Sequence, residues 1–259
     1  MIDSHAHLTD KAFVNDEDVI NRAKSVGVKT IVTLGWNISS SEDCRAIAEN
    51  TRDIYFASGV HPSDCEEFDN GVIARLFKTF ESKKCIAEGE IGLDYHYGAD
   101  KKELQKTVLK KQIEIAKNAN LPFIIHSREA SGDMVNIITE SDKAGLLQNG
   151  FLMHCYSESK ECAEIYLKHG AYFAFGGAIT FKNAKKEEII KSIPIDRVLC
   201  ETDCPYMAPV PLRGTVNEPA NVRFVYEKLA DTYGVAVEKL VDIVRENFHR
   251  LFKRAQGGI

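Results

Sequence analysis

The feature that most constrains this fold is an alternation of short apolar runs, rich in β-branched and aromatic residues, with stretches of helical pattern. The eight apolar runs are IDSHAHL (2–8), TIVTLG (30–35), IYFASGV (54–60), CIAEGEIGL (85–93), PFIIHS (122–127), GFLMHCY (150–156), AYFAFGG (171–177) and RVLCETD (197–203). Clear helical patterns lie at residues 16–27, 101–121 and 159–170. Strands alternating with helices predict a parallel sheet, and eight such units in 259 residues predict a (β/α)8 TIM barrel. A doubly wound open sheet is the competing architecture, although such sheets usually carry fewer strands.

A further helix is predicted near the end of the chain. Leucine, valine and phenylalanine recur at helical spacing over residues 238–255, which predicts an additional C-terminal helix packed outside the barrel without a catalytic role. The chain length is typical of one α/β barrel, so we expect a single domain, residues 1–259. Hydrophobic residues make up 44% of the chain and charged residues 27%, as in ordinary core-forming proteins.

Composition also bears on location and partners. The apolar runs are far shorter than the roughly 20 residues that cross a bilayer, and no basic segment followed by an apolar stretch opens the chain, so we expect neither a membrane span nor a signal peptide. The seven cysteines are scattered without a CxxC pair, which favours reduced thiols and a cytoplasmic location. A net charge of −5 does not support a dedicated nucleic-acid-binding protein, but it is compatible with an enzyme that handles phosphate through metals and a few arginines.

Histidines and carboxylates, residue types that can bind metals, lie late in most predicted strands. They are His5, His7, His61, Glu88, Glu90, Asp94, His96, His126, His154, Glu201 and Asp203. The carboxyl ends of barrel strands surround one axis, and positions i and i+2 of a strand share a face, so these side chains are expected to converge. Independent hydrogen-bonded core histidines are the alternative. Because buried charge must be paired or coordinated, and because the ligands are too many for one tetrahedral ion, we favour two metals about 3.5–4 Å apart.

The same motifs carry a family resemblance. IDSHAHL, GVHP, GEIGLDYH, IHSREA, HCYS, ETDCPYMAP, RGTVNEP and ENFHRLF resemble, nearly from end to end, the TatD family of metal-dependent deoxyribonucleases among the amidohydrolase-like TIM barrels. The resemblance implies six metal ligands: His5, His7, Glu90, His126, His154 and Asp203. In this set Glu90 bridges two divalent ions. Family behaviour implies Mg²⁺ or Mn²⁺ for activity, whereas the imidazole-rich shell also suits Zn²⁺.

Catalytic and substrate-binding roles follow as hypotheses. Asp203, with the bridging Glu90, is the candidate that orients or deprotonates the attacking water, and Glu201 is a candidate for a further, weaker ion or a substrate water. Four residues are predicted substrate contacts: His61, Tyr95, Arg128 and Arg213. The arginines either clamp phosphate or pair with nearby carboxylates. His61 either contacts a metal ligand or the leaving group, or is a core histidine. Tyr95 either stacks on a base or lines the rim.

Glu88 departs from the family pattern, which usually has an apolar residue two positions before the bridging glutamate. Strand parity points Glu88 into the barrel layer below the metals. Two alternatives remain open at this point. Glu88 is either a buried acid with a raised pKa that is hydrogen-bonded to a neighbour, or part of a bulged strand.

The resemblance implies a deoxyribonuclease, with a 3′ exonuclease favoured, that acts as a monomer on single-stranded DNA or on 3′ ends. One alternative keeps the metals and changes the bond, giving an ester or amide hydrolase such as a D-aminoacyl-tRNA deacylase. Another is a barrel that binds nucleic acid or a partner and merely stores metal, which the full ligand set and the lack of a basic stripe disfavour.

Overall fold

Eight parallel strands form the centre of the molecule in a computed structural model, which describes residues 1–13 and 18–257. The strands are β1 (Ile2–Ala6), β2 (Thr30–Leu34), β3 (Ile54–Ser58), β4 (Cys85–Asp94), β5 (Phe123–Arg128), β6 (Phe151–Met153), β7 (Tyr172–Phe175) and β8 (Val198–Cys200). Each strand pairs in parallel with the next, from β1 through to β8. Every strand lies on a predicted apolar run, and only β4 and β5 extend beyond their runs, each by one residue at its C-terminal end. The predicted (β/α)8 barrel is therefore confirmed.

Helices connect the strands and cover the outside of the barrel. In the described part of the chain they are α1 (Val19–Ser25), α2 (Ile38–Asn50), α3 (Asn70–Phe80), α4 (Lys102–Asn118), α5 (Ser131–Lys143), α6 (Lys160–Lys168), α7 (Glu187–Ser192), α8 (Val222–Tyr233) and α9 (Val237–Leu251). The first two residues of the predicted helix 16–27 lie outside the described residues. None of the helices that the structure describes is both long and apolar enough to cross a membrane.

The additional C-terminal helix is α9, which is shorter than predicted because residues 253–257 form a 3-10 turn. Its apolar face is buried through Leu240, Val244 and Phe248. The side-chain amide of Asn247 donates to the backbone carbonyl of Val198, at the start of β8. These contacts fix α9 on the outside of the barrel, as the sequence pattern indicated.

The barrel closes between β1 and β8 without a regular ladder. Two backbone hydrogen bonds join the ends of these strands: the N–H of His7 donates to the carbonyl of Cys204, and the N–H of Asp203 donates to the carbonyl of His5, each at 2.9 Å. Below them, the hydroxyl of Ser4 donates to a carbonyl in β8. The closing seam therefore lies directly beneath three of the predicted ligands.

Candidate metal centre

Four side chains from three strands direct ligand atoms at one point. The Nε2 atoms of His5 and His7 lie 3.2 Å apart, because alternate residues of the extended β1 share a face. Oε2 of Glu90 lies 3.4 Å from the nitrogen of His5 and 3.7 Å from that of His7. Oδ1 of Asp203 lies 3.5 Å from His7 and 3.8 Å from His5. Ligand atoms about 2.1 Å from a tetrahedral ion are about 3.4 Å from one another, so this group fits a bound cation.

The second carboxylate oxygen of Glu90 faces a different set of imidazoles. Oε1 lies 2.9 Å from Nδ1 of His126 and 2.9 Å from Nε2 of His154, and these two nitrogens are 3.4 Å apart. His61 approaches the same oxygen with its Nε2 at 3.8 Å. Glu90 therefore lies between two groups of ligand atoms, one facing each of its oxygens. Two combinations that could hold a metal ion fall within these groups, His5 with His7 and Glu90, and His61 with Glu90 and His126. A third combination, His5 with His154 and Asp203, spans both groups.

Hydrogen bonds on the far side of the rings orient the imidazoles. Nε2 of His126 lies 3.1 Å from Oδ2 of Asp94, and Nδ1 of His7 lies 3.2 Å from the carbonyl of Leu34. Such partners hold the proton on the outer nitrogen and leave the inner lone pair for a metal. Burial would raise the pKa of Asp94, but the bond to His126 and the backbone N–H of Tyr97 outweigh it and lower the pKa to about 2. Asp94 thus contributes as an oriented carboxylate behind a ligand.

Opposing charges stabilise each other inside the centre. Burial alone would raise the pKa of Glu90, but the imidazoles of His154 and His126 hold it well below its usual range. Burial would lower the pKa of His154, but the negative charges of Glu90 and Glu201 hold it well above its usual range. A bound cation would balance the negative charge of the carboxylates in place of the protons on the imidazole rings.

Of the two carboxylates in the ligand cluster, Asp203 is more accessible than Glu90. Its side chain is 15% exposed, against 4% for Glu90. It follows β8 in the left-handed backbone region, with φ +55°, which aspartate tolerates better than most residues. Behind it, the buried carboxylate of Asp3 accepts hydrogen bonds from the backbone N–H and hydroxyl of Thr202. This anchored position at the edge of the centre suits a group that meets water.

Glu201 lies behind His154, outside both groups of ligand atoms. Its Oε1 accepts a hydrogen bond from the backbone N–H of Cys155 at 2.6 Å and lies 3.4 Å from Nδ1 of His154. The side chain is fully buried. This place suits orientation of the His154 ring and offers no direct route to substrate, so a separate ion at Glu201 stays a prediction without a contact to support it.

The predicted substrate contacts divide into one that joins the centre and three that do not. His61 joins it, and burial lowers its pKa to about 4, so its ring is neutral. The hydroxyl of Tyr95 instead donates to Asp133, and the ammonium of Lys102 covers its ring at 4.4 Å. One face of the Tyr95 ring is therefore already covered by Lys102, which leaves less of the ring for a base.

Arg128 and Arg213 hold their guanidinium groups against aromatic rings. Arg128 lies 4.9 Å from the ring centre of Tyr97, and Arg213 lies 4.2 Å from that of Phe181. Neither arginine forms an ion pair with a carboxylate of the described residues. The carboxylate-paired alternative is therefore not observed, and phosphate contact stays a prediction.

Glu88 is a fully buried acid, and its side-chain oxygens have no hydrogen-bond partner among the described residues. Burial raises its pKa well above its ordinary value. The strand register also shifts between Glu88 and Ile91. The raised pKa and the irregular strand are both present, whereas the hydrogen bond to a neighbour is not.

A cavity of about 240 Å³ opens onto the ligand atoms. It is lined by His7, Trp36, His61, Ser63, Glu90 and Tyr206. The sequence did not indicate Trp36 or Tyr206 as lining residues; Trp36 lies two residues after β2, and Tyr206 lies six residues after β8. Their position on loops at the catalytic end was the available signal, but the direction of a loop side chain cannot be read from strand parity.

A parallel eight-stranded barrel whose strand ends gather imidazoles and carboxylates around such a cavity has the architecture of a metal-dependent hydrolase. Comparison with known proteins gives the family. The family model described as "TatD related DNase" matches residues 2–253, and the chain belongs to the TatD family. The resemblance inferred from the motifs is therefore confirmed.

Relatives and solved structures agree with this assignment. The chain is 40% identical over 255 residues to YabD of Bacillus subtilis, covering 98% of this chain and 99% of the relative. It is 34% identical over 257 residues to YcfH of Escherichia coli K12, covering 97% and 95%. Both relatives are described as uncharacterized metal-dependent hydrolases. The crystal structure of the TatD homologue YjjV of Escherichia coli superimposes with a TM-score of 0.90 at 29% identity, covering 98% of each chain.

Proposed function

We propose that this protein is a deoxyribonuclease that uses two divalent cations to hydrolyse DNA phosphodiester bonds, releasing nucleotides from 3′ ends. The observation that carries the proposal is the position of Glu90, whose two oxygens face separate groups of ligand atoms. A carboxylate that presents one oxygen to each of two imidazole groups is the arrangement expected of a bridging ligand. The family description as related to DNases supports the choice of bond.

The cations would be held by His5, His7, Glu90 and Asp203 in one group and by Glu90, His126 and His154 in the other. Bound there, Mg²⁺ or Mn²⁺, or Zn²⁺ in the same ligands, supplies Lewis acidity that lowers the pKa of water and offsets charge on the phosphodiester.

The protein's own groups then position the reactants. Asp203, exposed at the edge of the centre, accepts a hydrogen bond from the attacking water and takes its proton. Neutral His61, which lines the cavity, donates a hydrogen bond to the leaving oxygen. Arg128 and Arg213 contact the phosphates of the strand with the guanidinium edges left free by stacking.

Action at a strand end is favoured by the size of the cavity. About 240 Å³ lies below the about 300–1,000 Å³ typical of ligand pockets, and it suits one nucleotide better than a continuous duplex. A single-stranded end enters such a space without the energy needed to separate paired bases. Single-stranded DNA and strand ends are therefore the proposed substrates, and the choice of the 3′ end follows the family resemblance.

The test is hydrolysis of a short single-stranded DNA labelled at its 3′ end, with Mg²⁺ or Mn²⁺, by the wild type and by Glu90→Ala. A second substrate labelled at the 5′ end reports the direction of digestion. Glu42→Ala is the matched control, because Glu42 pairs with Arg75 on the outer surface and its loss leaves the centre intact. We expect metal-dependent release of the 3′ label by the wild type and Glu42→Ala, and none by Glu90→Ala.

An inert wild type in the presence of either metal would overturn the proposal. The next substrate would then be an aminoacyl-tRNA carrying a D-amino acid, whose ester the same centre is equally equipped to hydrolyse. Cleavage that starts from the 5′ end would keep the nuclease and reverse its direction.

A further inference from the structure

We propose that Trp36 and Tyr206 form an aromatic base-binding pair, which receives the nucleobase of the nucleotide whose phosphate lies at the metal centre. This inference rests on the proposed function for the identity of the substrate. It assigns a nucleobase subsite to two residues that neither hold metal nor take part in proton transfer.

Both rings stand next to the same metal-ligand candidate. The ring centre of Trp36 is 5.8 Å from that of His7, and the ring centre of Tyr206 is 6.2 Å from it. Each ring meets the imidazole at a steep angle, 68° for Trp36 and 66° for Tyr206. Both also line the cavity above the centre. A nucleotide places its base one sugar away from its phosphate, so a phosphate at the centre brings its base to these rings.

The backbone of Trp36 is fixed on both sides. Its N–H donates to the hydroxyl of Ser40 at 3.0 Å, and its carbonyl accepts from the N–H of His61 at 2.8 Å. The next residue, Asn37, caps α2 and accepts a hydrogen bond from the N–H of Ser40. The indole is therefore presented by a rigid turn, which reduces the entropy that binding would otherwise cost.

Tyr206 is held in the same manner on the opposite loop. Its N–H donates to the carbonyl of Asp203 at 2.9 Å, and its carbonyl accepts from the side-chain amide of the buried Asn217 at 2.8 Å. Its hydroxyl donates to Asp10 at 3.1 Å. Tyr206 is nevertheless 54% exposed, although large aromatic rings are usually covered by other groups. Exposed aromatic surface of this kind is typical of a binding site.

The aromatic faces at the catalytic end differ in what covers them. Cations already lie over Tyr95, Tyr97 and Phe181. Within the described residues, no such cation lies over Trp36 or Tyr206, and both line the cavity, so no charged side chain competes there with a ligand. Stacking accepts every base because each base has a π-face, so the pair is expected to bind without strong preference for sequence.

The test uses the fluorescence of Trp36, which is the only tryptophan of the chain. Mg²⁺-loaded protein is titrated with dAMP and, separately, with deoxyribose 5-phosphate, which has the same sugar and phosphate but no base. We expect dAMP to quench the fluorescence at saturation and to bind about tenfold more tightly than deoxyribose 5-phosphate, because stacking on an aromatic side chain contributes on the order of tenfold in affinity per base.

Variants assign the difference to the pair. Tyr206→Ala should weaken dAMP several-fold while leaving deoxyribose 5-phosphate unchanged, because only the base meets the ring and Trp36 keeps its share of the stacking. Tyr206→Phe keeps the ring and loses only the contact to Asp10, so it should bind dAMP nearly as the wild type does. Phe77→Ala, which removes an exposed aromatic from α3, is the matched control and should change neither ligand.

Equal affinity of the wild type for dAMP and deoxyribose 5-phosphate would overturn the base-binding pair, and so would an unchanged dAMP affinity in folded Tyr206→Ala. This failure is separable from that of the proposed function. DNA cleavage without base discrimination would remove the pair and keep the nuclease, whereas base discrimination without DNA cleavage would keep the pair and remove the nuclease.

Discussion

Two glutamates of β4, separated by one glycine, occupy opposite electrostatic environments. Glu88 and Glu90 are both buried. The pKa of Glu88 is raised well above its usual range by burial, whereas imidazoles overcome burial and hold the pKa of Glu90 well below it. The contrast teaches that partners, rather than depth, decide whether a buried carboxyl carries charge.

The two residues therefore give the metal-free protein opposite responses to pH. A carboxyl with a lowered folded-state pKa stabilises the fold above its unfolded pKa, and this stabilisation is lost as pH falls through the folded value. A carboxyl with a raised folded-state pKa behaves in the reverse way, and its contribution is lost as pH rises. Glu90 belongs to the first kind and Glu88 to the second.

The largest expected effect comes from removing the charge of Glu90 while keeping its shape. Glu90→Gln should lower the rate of hydrolysis about a thousandfold, because a metal supplies several kcal/mol of charge stabilisation and each 1.4 kcal/mol or so is tenfold in rate. The rate is measured with labelled DNA at saturating Mn²⁺. Retention of wild-type rate would show that Glu90 does not bridge cations.

A smaller effect is expected at the carboxylate that orients His126. Asp94→Asn should weaken metal binding about 10–100-fold. Its Oδ1 already accepts from the backbone N–H groups of His96 and Tyr97, so the amide nitrogen of the asparagine would face Nε2 of His126 in place of an acceptor. Calorimetric titration of the chelator-treated protein with Mn²⁺ measures the affinity. Asp142→Asn is the control, since Asp142 pairs with His169 on the surface at 2.8 Å, and an equal loss in both variants would contradict the assigned role.

Glu88 tests the other side of the comparison. Glu88→Met should raise the free energy of unfolding by about 1–3 kcal/mol, because the buried acid has no hydrogen-bond partner to replace water. The gain should be larger at about pH 8 than at about pH 5, since ionisation of Glu88 favours the unfolded chain. Urea unfolding of the metal-free protein at both pH values measures it. If Glu88→Met unfolds at a lower urea concentration than the wild type, Glu88 makes a stabilising interaction and the prediction is wrong.

An exposed glutamate sets the lower limit of the comparison. Glu42 contacts Arg75 at 2.6 Å, with both side chains nearly half exposed. Glu42→Gln should lower the free energy of unfolding by at most about 1 kcal/mol, and less at high salt, because water and ions screen the pair. Thermal unfolding at two salt concentrations checks this expectation. A cost as large as that of a buried group would show that the pair is not an ordinary surface contact.

The fold was predictable because its signal is repeated along the chain. Eight apolar runs recur with helices between them, and α9 follows from leucine and phenylalanine spacing, so no single ambiguous segment decides the architecture. The boundary of α9 was less accessible, since the turn that ends it near Phe252 depends on tertiary packing.

The ligand cluster was predictable from strand geometry in the same way. His5 and His7 share a face by parity, and the barrel axis brings His126 and His154 to them. Side chains whose partners lie on other elements were not predictable. The burial of Glu88 followed from strand parity, but the contact between Asp94 and His126 depends on how β4 departs from regular register, which the sequence does not encode locally.

The seam between β1 and β8 has a consequence for the order in which the centre is completed. His5 and His7 come from the first strand, whereas Asp203 follows the last one. During translation, a growing chain therefore carries the two imidazoles from the outset but lacks the carboxylate that completes their group until the eighth strand has left the ribosome. The group of His5, His7 and Asp203, where we propose a cation, is thus incomplete in every unfinished copy of the protein and is assembled only when the barrel closes.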